Sequence, residues 1–247
     1  KKGGATYIWA RTPAGSPKVA LPYSVRSIAP YSNAKASAVG KGSPGSDNTF
    51  SIAVIGDTQT EVTSDSDSRF ANRTAWLAAN KSALDLRYVV HTGHVVNWGW
   101  LHPDQYTRAR NAMAKLTYAG IAWSVAIGNH DTRAVGWNNV AGSTGYGGAA
   151  YANNPECTTR LSAAECDSSK LVRETGEFND SFPSGNLTDL GGTFEDGKID
   201  NAWTTFTANG TKWLVLNIEF APRKTAVEGA PGVVAPHPHD NAINDTH

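Results

Sequence analysis

Residues 50–57 have the sequence Phe-Ser-Ile-Ala-Val-Ile-Gly-Asp, in which an apolar run ends on a glycine and an aspartate. The same pattern recurs downstream, where Arg87–Thr92 ends at Gly93 and Ile121–Ile127 ends at Gly128. Short, continuous apolar runs are typical of strands in a parallel sheet that is covered on both faces. The three runs therefore predict three neighbouring parallel strands.

Helical patterns separate these strands. Residues 68–85 repeat apolar side chains on one face, and Pro103 begins a second amphipathic stretch that extends to about Tyr118. Alternating strands and helices predict an α/β fold. In such folds ligands gather beyond the carboxyl ends of the strands.

The flanking regions are less regular. Residues 1–48 are rich in Gly, Ser, Pro and Ala, and we expect an N-terminal extension or the remnant of a β module followed by a linker, with the main domain at 49–247. Residues 133–200 form a long polar excursion, which predicts a functional or capping insertion.

The C-terminal part gives a mixed prediction. Residues 202–218 alternate around Asn209-Gly210, a strong hairpin signal. Gly229, Pro231 and Gly232 interrupt the helical pattern of 222–235, and 241–246 is a poor strand by composition.

Composition excludes several classes of function. Lys+Arg and Asp+Glu both number 22, so no net charge attracts nucleic acid. No apolar stretch approaches the roughly 20 residues that span a bilayer. We therefore expect neither a nucleic-acid partner nor a membrane segment; the oligomeric state is left open.

The two cysteines, Cys157 and Cys166, lie nine positions apart in a polar segment. This spacing favours a local disulfide over a zinc pair, with two unpaired thiols as the alternative. A disulfide implies an oxidising compartment, and we expect a secreted protein. Six Asn-x-Ser/Thr sequons matter only in a host that glycosylates; they begin at Asn72, Asn80, Asn179, Asn186, Asn209 and Asn244.

Polar side chains cluster directly after the three predicted strands. They are Asp57, Gln59, His94, Asn129, His130 and Asp131. Carboxylate, amide and imidazole donors of this kind suit Mn, Fe, Zn or a related divalent metal. Each residue alone also has a structural interpretation, such as a helix cap or a turn former.

The series Ile55-Gly-Asp-Thr-Gln59, His91-Thr-Gly-His-Val-Val-Asn97 and Gly128-Asn-His-Asp131 resembles the calcineurin-like metallophosphoesterase pattern. That pattern has Asp-x-His, Gly-Asp, Gly-Asn-His-Asp/Glu, a lone His and Gly-His-x-His, in this order. The resemblance covers about residues 50–247. A secreted branch of the family has Asp-Thr-Gln in the first motif, as this chain has at residues 57–59. It implies a four-layer α-β-β-α sandwich and a phosphomonoester or phosphodiester hydrolase.

The resemblance also implies a dinuclear centre of two divalent metal ions. Asp57 resembles the carboxylate on the first metal, and Gln59 stands where the family usually has a histidine ligand. Asn129 resembles a ligand of the second metal, and His247 resembles its lone histidine ligand. His94 stands where the family has a bridging aspartate.

The implied mechanism is in-line attack by a metal-activated hydroxide on a small phosphoester. His130 resembles the non-ligand histidine that protonates the leaving oxygen, and Asp131 is grouped with it as a catalytic candidate. Arg223, with Glu219 before it, is expected either to hold a phosphate oxygen or to form a surface ion pair.

Two departures from the family pattern bear on activity. A neutral imidazole at His94 supplies one nitrogen and no charge, so we expect a weaker dinuclear centre. The final Gly-His-x-His segment is missing, and His237-Pro-His239 does not replace it; we expect both histidines on the solvent side of a helix end. A fragment, an inactive relative and a misassigned position 94 are the three open explanations.

The alternative function is a secreted binding module on the same scaffold, without catalysis. In this hypothesis exposed rings of Trp98, Trp100 and Trp137 stack on flat ligands near the strand ends.

Overall fold

The computed structural model describes residues 7–11, 50–135, 154–155, 157, 162, 165–187, 189–237 and 241–246. The described strands are β1 (Tyr7–Arg11), β2 (Ser51–Ile55), β3 (Leu86–His91), β4 (Ala122–Val125), β5 (Leu190–Thr193), β6 (Ala202–Ala208), β7 (Thr211–Asn217) and β8 (Asn241–Thr246). The described α-helices are α1 (Arg69–Ala79), α2 (Pro103–Tyr118), α3 (Ser168–Leu171), α4 (Gly176–Ser181) and α5 (Lys224–Val234).

The predicted parallel sheet is confirmed. It has the order β2-β3-β4, and Ile55, His91 and Val125 lie in register at its carboxyl edge. Buried side chains of α1 and α2, such as Phe70 and Leu116, pack in one core with residues of this sheet. This packing explains the helical periodicity of the two segments, although α1 ends at Ala79 instead of extending to residue 85.

A second, five-stranded sheet has the order β1-β8-β7-β6-β5. The predicted hairpin is confirmed as β6 and β7, which are antiparallel, whereas β8 runs parallel to β7. β1, from the N-terminal segment, pairs with β8 at one edge.

The two sheets face each other across an apolar layer. Tyr88 and Val90 of β3 share this layer with Phe206 of β6 and Val215 of β7. On the other side of the five-stranded sheet, Trp203 and Leu216 line a groove together with Ala226 of α5. The order of layers is therefore helices, sheet, sheet, helix, as the resemblance implies.

Two C-terminal elements form although their local sequence signals are weak. Lys224–Val234 is helical in spite of Pro231, and Asn241–Thr246 is a strand in spite of its polar composition. Both elements gain tertiary partners, since α5 covers a sheet face and β8 is hydrogen-bonded between β7 and β1. Such partners override weak local propensity.

The predicted disulfide between Cys157 and Cys166 is confirmed. None of the described helices combines the length and the apolar character that a membrane span requires.

Candidate metal centre

The three polar clusters follow β2, β3 and β4 at one edge of the parallel sheet. Asp57 lies just beyond β2, His94 lies in the turn after β3, and Asn129 begins a 3-10 turn after β4. Gly93 and His94 have φ angles of 97° and 50°, and this left-handed backbone makes the turn. Histidine, asparagine and aspartate occupy that region more readily than most residues.

His94 is the central residue of the site. Its Nδ1 lies 3.0 Å from Asp57 Oδ2, and its Nε2 is hydrogen-bonded to Asn129 Oδ1. One imidazole therefore joins the residue predicted on the first metal to the residue predicted on the second.

The electrostatic environment of His94 favours its charged form. Burial alone lowers the pKa of the imidazole, but the hydrogen bond that His94 donates to the Asp57 carboxylate and the charge of Asp131 outweigh burial, so the net pKa is raised. Asp57 remains exposed at the rim, with 48% of its side chain accessible.

His130 packs edge-to-face on His94, with 4.8 Å between ring centroids. Its Nδ1 lies 3.1 Å from the carbonyl oxygen of Asn97. A carbonyl only accepts hydrogen bonds, so Nδ1 carries the proton. In the neutral ring, Nε2 is then the basic nitrogen.

Asp131 is buried, unlike Asp57. Its carboxylate accepts hydrogen bonds from the backbone N–H groups of Val95, Val96 and Gly128, at 3.2, 3.0 and 2.8 Å. Burial raises the pKa of Asp131 to about 6, against the lowering effect of these N–H groups. Asp131 thus ties the turn after β3 to the end of β4.

Thr58 and His91 also stabilise the turn after β3, a role that the sequence analysis did not predict. The Thr58 hydroxyl donates to the Val95 carbonyl at 2.9 Å and lies 3.0 Å from His91 Nε2. His91 Nδ1 accepts from the Gly93 N–H, so His91 is neutral with its proton on Nε2. Only the position of both residues beside the motifs signalled them.

Other predicted site residues are placed differently. Gln59 is half-buried, and the described part of the chain shows no hydrogen bond from its side chain. His247 and Trp137 lie outside the described residues. Trp98 is only 7% exposed, so the prediction that its ring is exposed is wrong. Trp100 is half-buried.

Arg223 lies beside two carboxylates. Its guanidinium contacts Glu219 at 2.9 Å and Glu195 at 2.6 Å, and it lies over the Phe194 ring. Of the two expectations for Arg223, these contacts match the ion pair, and the contact with a phosphate oxygen stays a prediction. His237 is half-buried, with its ring 5.1 Å from that of Trp203, and His239 lies outside the described residues.

These donors do not fit a carboxylate-bridged pair of cations. Within the described ranges, no three His, Cys, Asp or Glu side chains form a group that could hold a metal. Asp57 supplies a carboxylate and Asn129 an amide oxygen, but His94 already engages both of them through its two ring nitrogens.

Comparisons with known proteins agree with this architecture. The calcineurin-like phosphoesterase model matches residues 50–233, which include all the elements from β2 to most of α5. A 62-residue segment is 36% identical to the uncharacterized protein YvnB of Bacillus subtilis (strain 168). That segment is 25% of this chain and 5% of the relative, so it carries no argument about the activity of the whole relative. On the fold, the motif order and the family match, this chain belongs to the calcineurin-like phosphoesterase family.

Proposed function

We propose that the domain functions as a metal-dependent phosphoester hydrolase, and that His94 limits its activity. The observation that carries the proposal is the position of the His94 ring between Asp57 and Asn129, with one ring nitrogen on each. Family membership supports the reaction class, and small phosphoesters are the expected substrates.

The effect of His94 follows from its donor chemistry. A carboxylate offers two oxygens and a negative charge, so it can serve two cations at once. An imidazole offers one lone pair when neutral and none when protonated. Asp57 and Asn129 are therefore each hydrogen-bonded to His94. A cation can bind their oxygens only if these hydrogen bonds break.

His130 is the proposed proton donor to the leaving oxygen. Its hydrogen bond to the Asn97 carbonyl fixes the ring with a proton on Nδ1, so Nε2 is the atom that would give up its proton when the ring is in the imidazolium form. Asp131 is proposed as a positioning residue, because its carboxylate contacts the backbone of the two turns that carry His94 and His130. Arg223 would contact phosphate only by exchanging Glu219 or Glu195 for it.

The test is hydrolysis of bis(p-nitrophenyl) phosphate with added Mn²⁺ by the wild type, His94→Asp and His94→Asn. Asp and Asn both tolerate the left-handed backbone at position 94, so neither variant strains the turn. We expect His94→Asp to raise the rate by about a hundredfold or more, since one carboxylate restores charge and a bridging oxygen. His94→Asn should not.

Equal rates for the two variants, with native circular dichroism for both, would contradict the hydrolase proposal. That result would favour the non-catalytic binding scaffold. The Cys157–Cys166 disulfide supports the accompanying proposal of an extracellular location. Immunoblotting of cell and medium fractions checks it, and a protein held in the cytoplasm would refute it.

A further inference from the structure

The first turn of α2 contacts both of the backbone segments that hold His130 in place. His130 is hydrogen-bonded to the Asn97 carbonyl, so its position depends on the segment that follows the turn after β3 and on the 3-10 turn after β4. Gln105 and Tyr106 are consecutive residues near the start of α2, and each of them is hydrogen-bonded to one of these two segments. The helix is therefore a common support for the His130 ring and for its acceptor.

Gln105 orients the peptide unit that contains the Asn97 carbonyl. Its side chain is only 4% exposed, and its Oε1 accepts hydrogen bonds from the backbone N–H groups of Asn97 and Trp98, at 2.9 and 3.1 Å. The Trp98 N–H and the Asn97 carbonyl belong to the same planar peptide unit, so fixing the N–H also fixes the direction of the carbonyl. That carbonyl is the acceptor for His130 Nδ1, at 3.1 Å.

Tyr106 fixes the turn that carries His130. Its hydroxyl donates to the carbonyl oxygen of Asp131, the next residue along the chain, at 3.1 Å. Its ring lies against the backbone of Gly99, where an added Cβ atom would overlap the ring. Tyr106 is 3% exposed and thus held by its surroundings. It therefore sets the distance between the segment of the Asn97 carbonyl and the turn of His130.

We propose that Gln105 and Tyr106 are positioning residues for the proton donor of the proposed reaction, His130. Gln105 orients the Asn97 carbonyl, this carbonyl keeps a proton on His130 Nδ1, and Nε2 is thereby the nitrogen that gives its proton to the leaving oxygen. Tyr106 keeps the two segments at the distance that this hydrogen bond requires. The inference rests on the proposed hydrolase function, and neither side chain contacts the substrate itself.

The first test observes the His130 ring directly and needs no hydrolysis. Nitrogen NMR at about pH 8.5, where an ordinary imidazole is neutral, distinguishes a ring nitrogen that carries a proton from one that does not. The loss of signals in His130→Asn assigns the ring. We expect a proton on Nδ1 alone in the wild type and a mixture of both tautomers in Gln105→Met, which removes the accepting oxygen. Gln105→Glu keeps an accepting oxygen and should keep the wild-type tautomer.

Ala112→Gly is the matched control, because it destabilises the same helix at a buried position away from both segments. It should keep the single tautomer. Tyr106→Phe removes one hydroxyl and keeps the ring, and it carries the same test, with a mixture of tautomers expected, if Gln105→Met does not fold. A single Nδ1 tautomer in a folded Gln105→Met or Tyr106→Phe protein would overturn the proposal. A mixture in Ala112→Gly would overturn it too, because the tautomer would then follow helix stability.

The second test measures how hydrolysis depends on the leaving group, in the His94→Asp background with Mn²⁺. A proton donor matters most when the leaving group is poor, so Gln105→Met should lower kcat/KM for diphenyl phosphate by about tenfold or more. The loss for bis(p-nitrophenyl) phosphate should be much smaller. When His130→Asn is also present, Gln105→Met should cause no further loss.

Two results of this second test would overturn the proposal. They are an equal loss for both substrates and a loss that persists without His130. If no variant hydrolyses either substrate, the proposed function fails, and the NMR comparison by itself then decides whether Gln105 positions the His130 ring.

Discussion

Asp131 stabilises the site through backbone contacts. One buried carboxylate accepts from Val95, Val96 and Gly128, so it holds two turns at a fixed distance. An amide in its place keeps one accepting oxygen and turns an N–H₂ group toward backbone donors.

We therefore expect Asp131→Asn to lower the free energy of unfolding by about 2 kcal/mol. Urea unfolding at pH 7 measures this change. Asp196→Asn, at an exposed loop position, is the control and should stay within about 0.5 kcal/mol of the wild type. An Asp131→Asn protein as stable as the control would remove the positioning role.

Glu219 is the residue whose ion pairs predict a pH dependence. Burial alone raises the pKa of its carboxyl, but hydrogen bonds from the Arg223 side chain and backbone outweigh burial, so the net pKa is lowered. A lowered folded-state pKa means that the stabilisation is complete above the unfolded-state pKa of about 4.3 and is lost as the pH falls through the folded value.

Glu219→Gln should therefore cost about 2 kcal/mol or more of unfolding free energy at pH 7 and progressively less as the pH falls below about 4.3. Urea unfolding of both proteins at pH 7, 5 and 3.5 checks the sign. A gap between the two proteins that widens toward acid would contradict it.

For the residues of the site, the sequence predicts which side chains lie close together but not the hydrogen bonds between them. Asp57, His94 and Asn129 were predicted together because each follows a strand of one parallel sheet. The double hydrogen bond of His94 depends on its positive φ, and that angle is not encoded in the spacing of the motifs.

β8 contains a buried carboxyl group, that of Asp245. Asp245 is fully buried in the five-stranded sheet, opposite Asn217, and neither of its carboxylate oxygens has a hydrogen-bond partner in the described part of the chain. Burial raises the pKa of Asp245 to about 8. An unpaired buried carboxyl costs stability in either protonation state.

Asp245→Val should accordingly raise the free energy of unfolding by about 2 kcal/mol at pH 7, because valine removes the polar group and favours a strand. Asp245→Asn keeps an uncharged polar group buried at this position and should give a smaller gain. Guanidinium unfolding of the three proteins ranks them, and a wild type that is more stable than Asp245→Val would refute this account of β8.

Among the helices and strands, those with strong local signals were predictable from the sequence. β2, β3, β4 and α2 have continuous runs or clear periodicity, and the turn at Asn209-Gly210 fixes the hairpin. α5 and β8 had only weak local signals, because Pro231 and Asp245 oppose their local conformations. These elements form through contacts with the five-stranded sheet, which a local pattern does not contain.

In the whole molecule, two sheets pack face to face, and the strand-end cluster of Asp57, His94 and Asn129 lies at the carboxyl edge of the parallel sheet. This cluster was predictable from the motif order, because each motif follows a strand of that sheet.

In the proposed function, His94 forms hydrogen bonds to Asp57 and Asn129 where the family has a carboxylate that serves two metal ions. Elemental mass spectrometry of the wild type and of His94→Asp, after dialysis against Mn²⁺ and Zn²⁺ without chelator, measures the consequence. We expect less than one metal equivalent in the wild type and a clear increase in His94→Asp. Two equivalents in the wild type would contradict this role of His94, because the dinuclear centre would then assemble in spite of it.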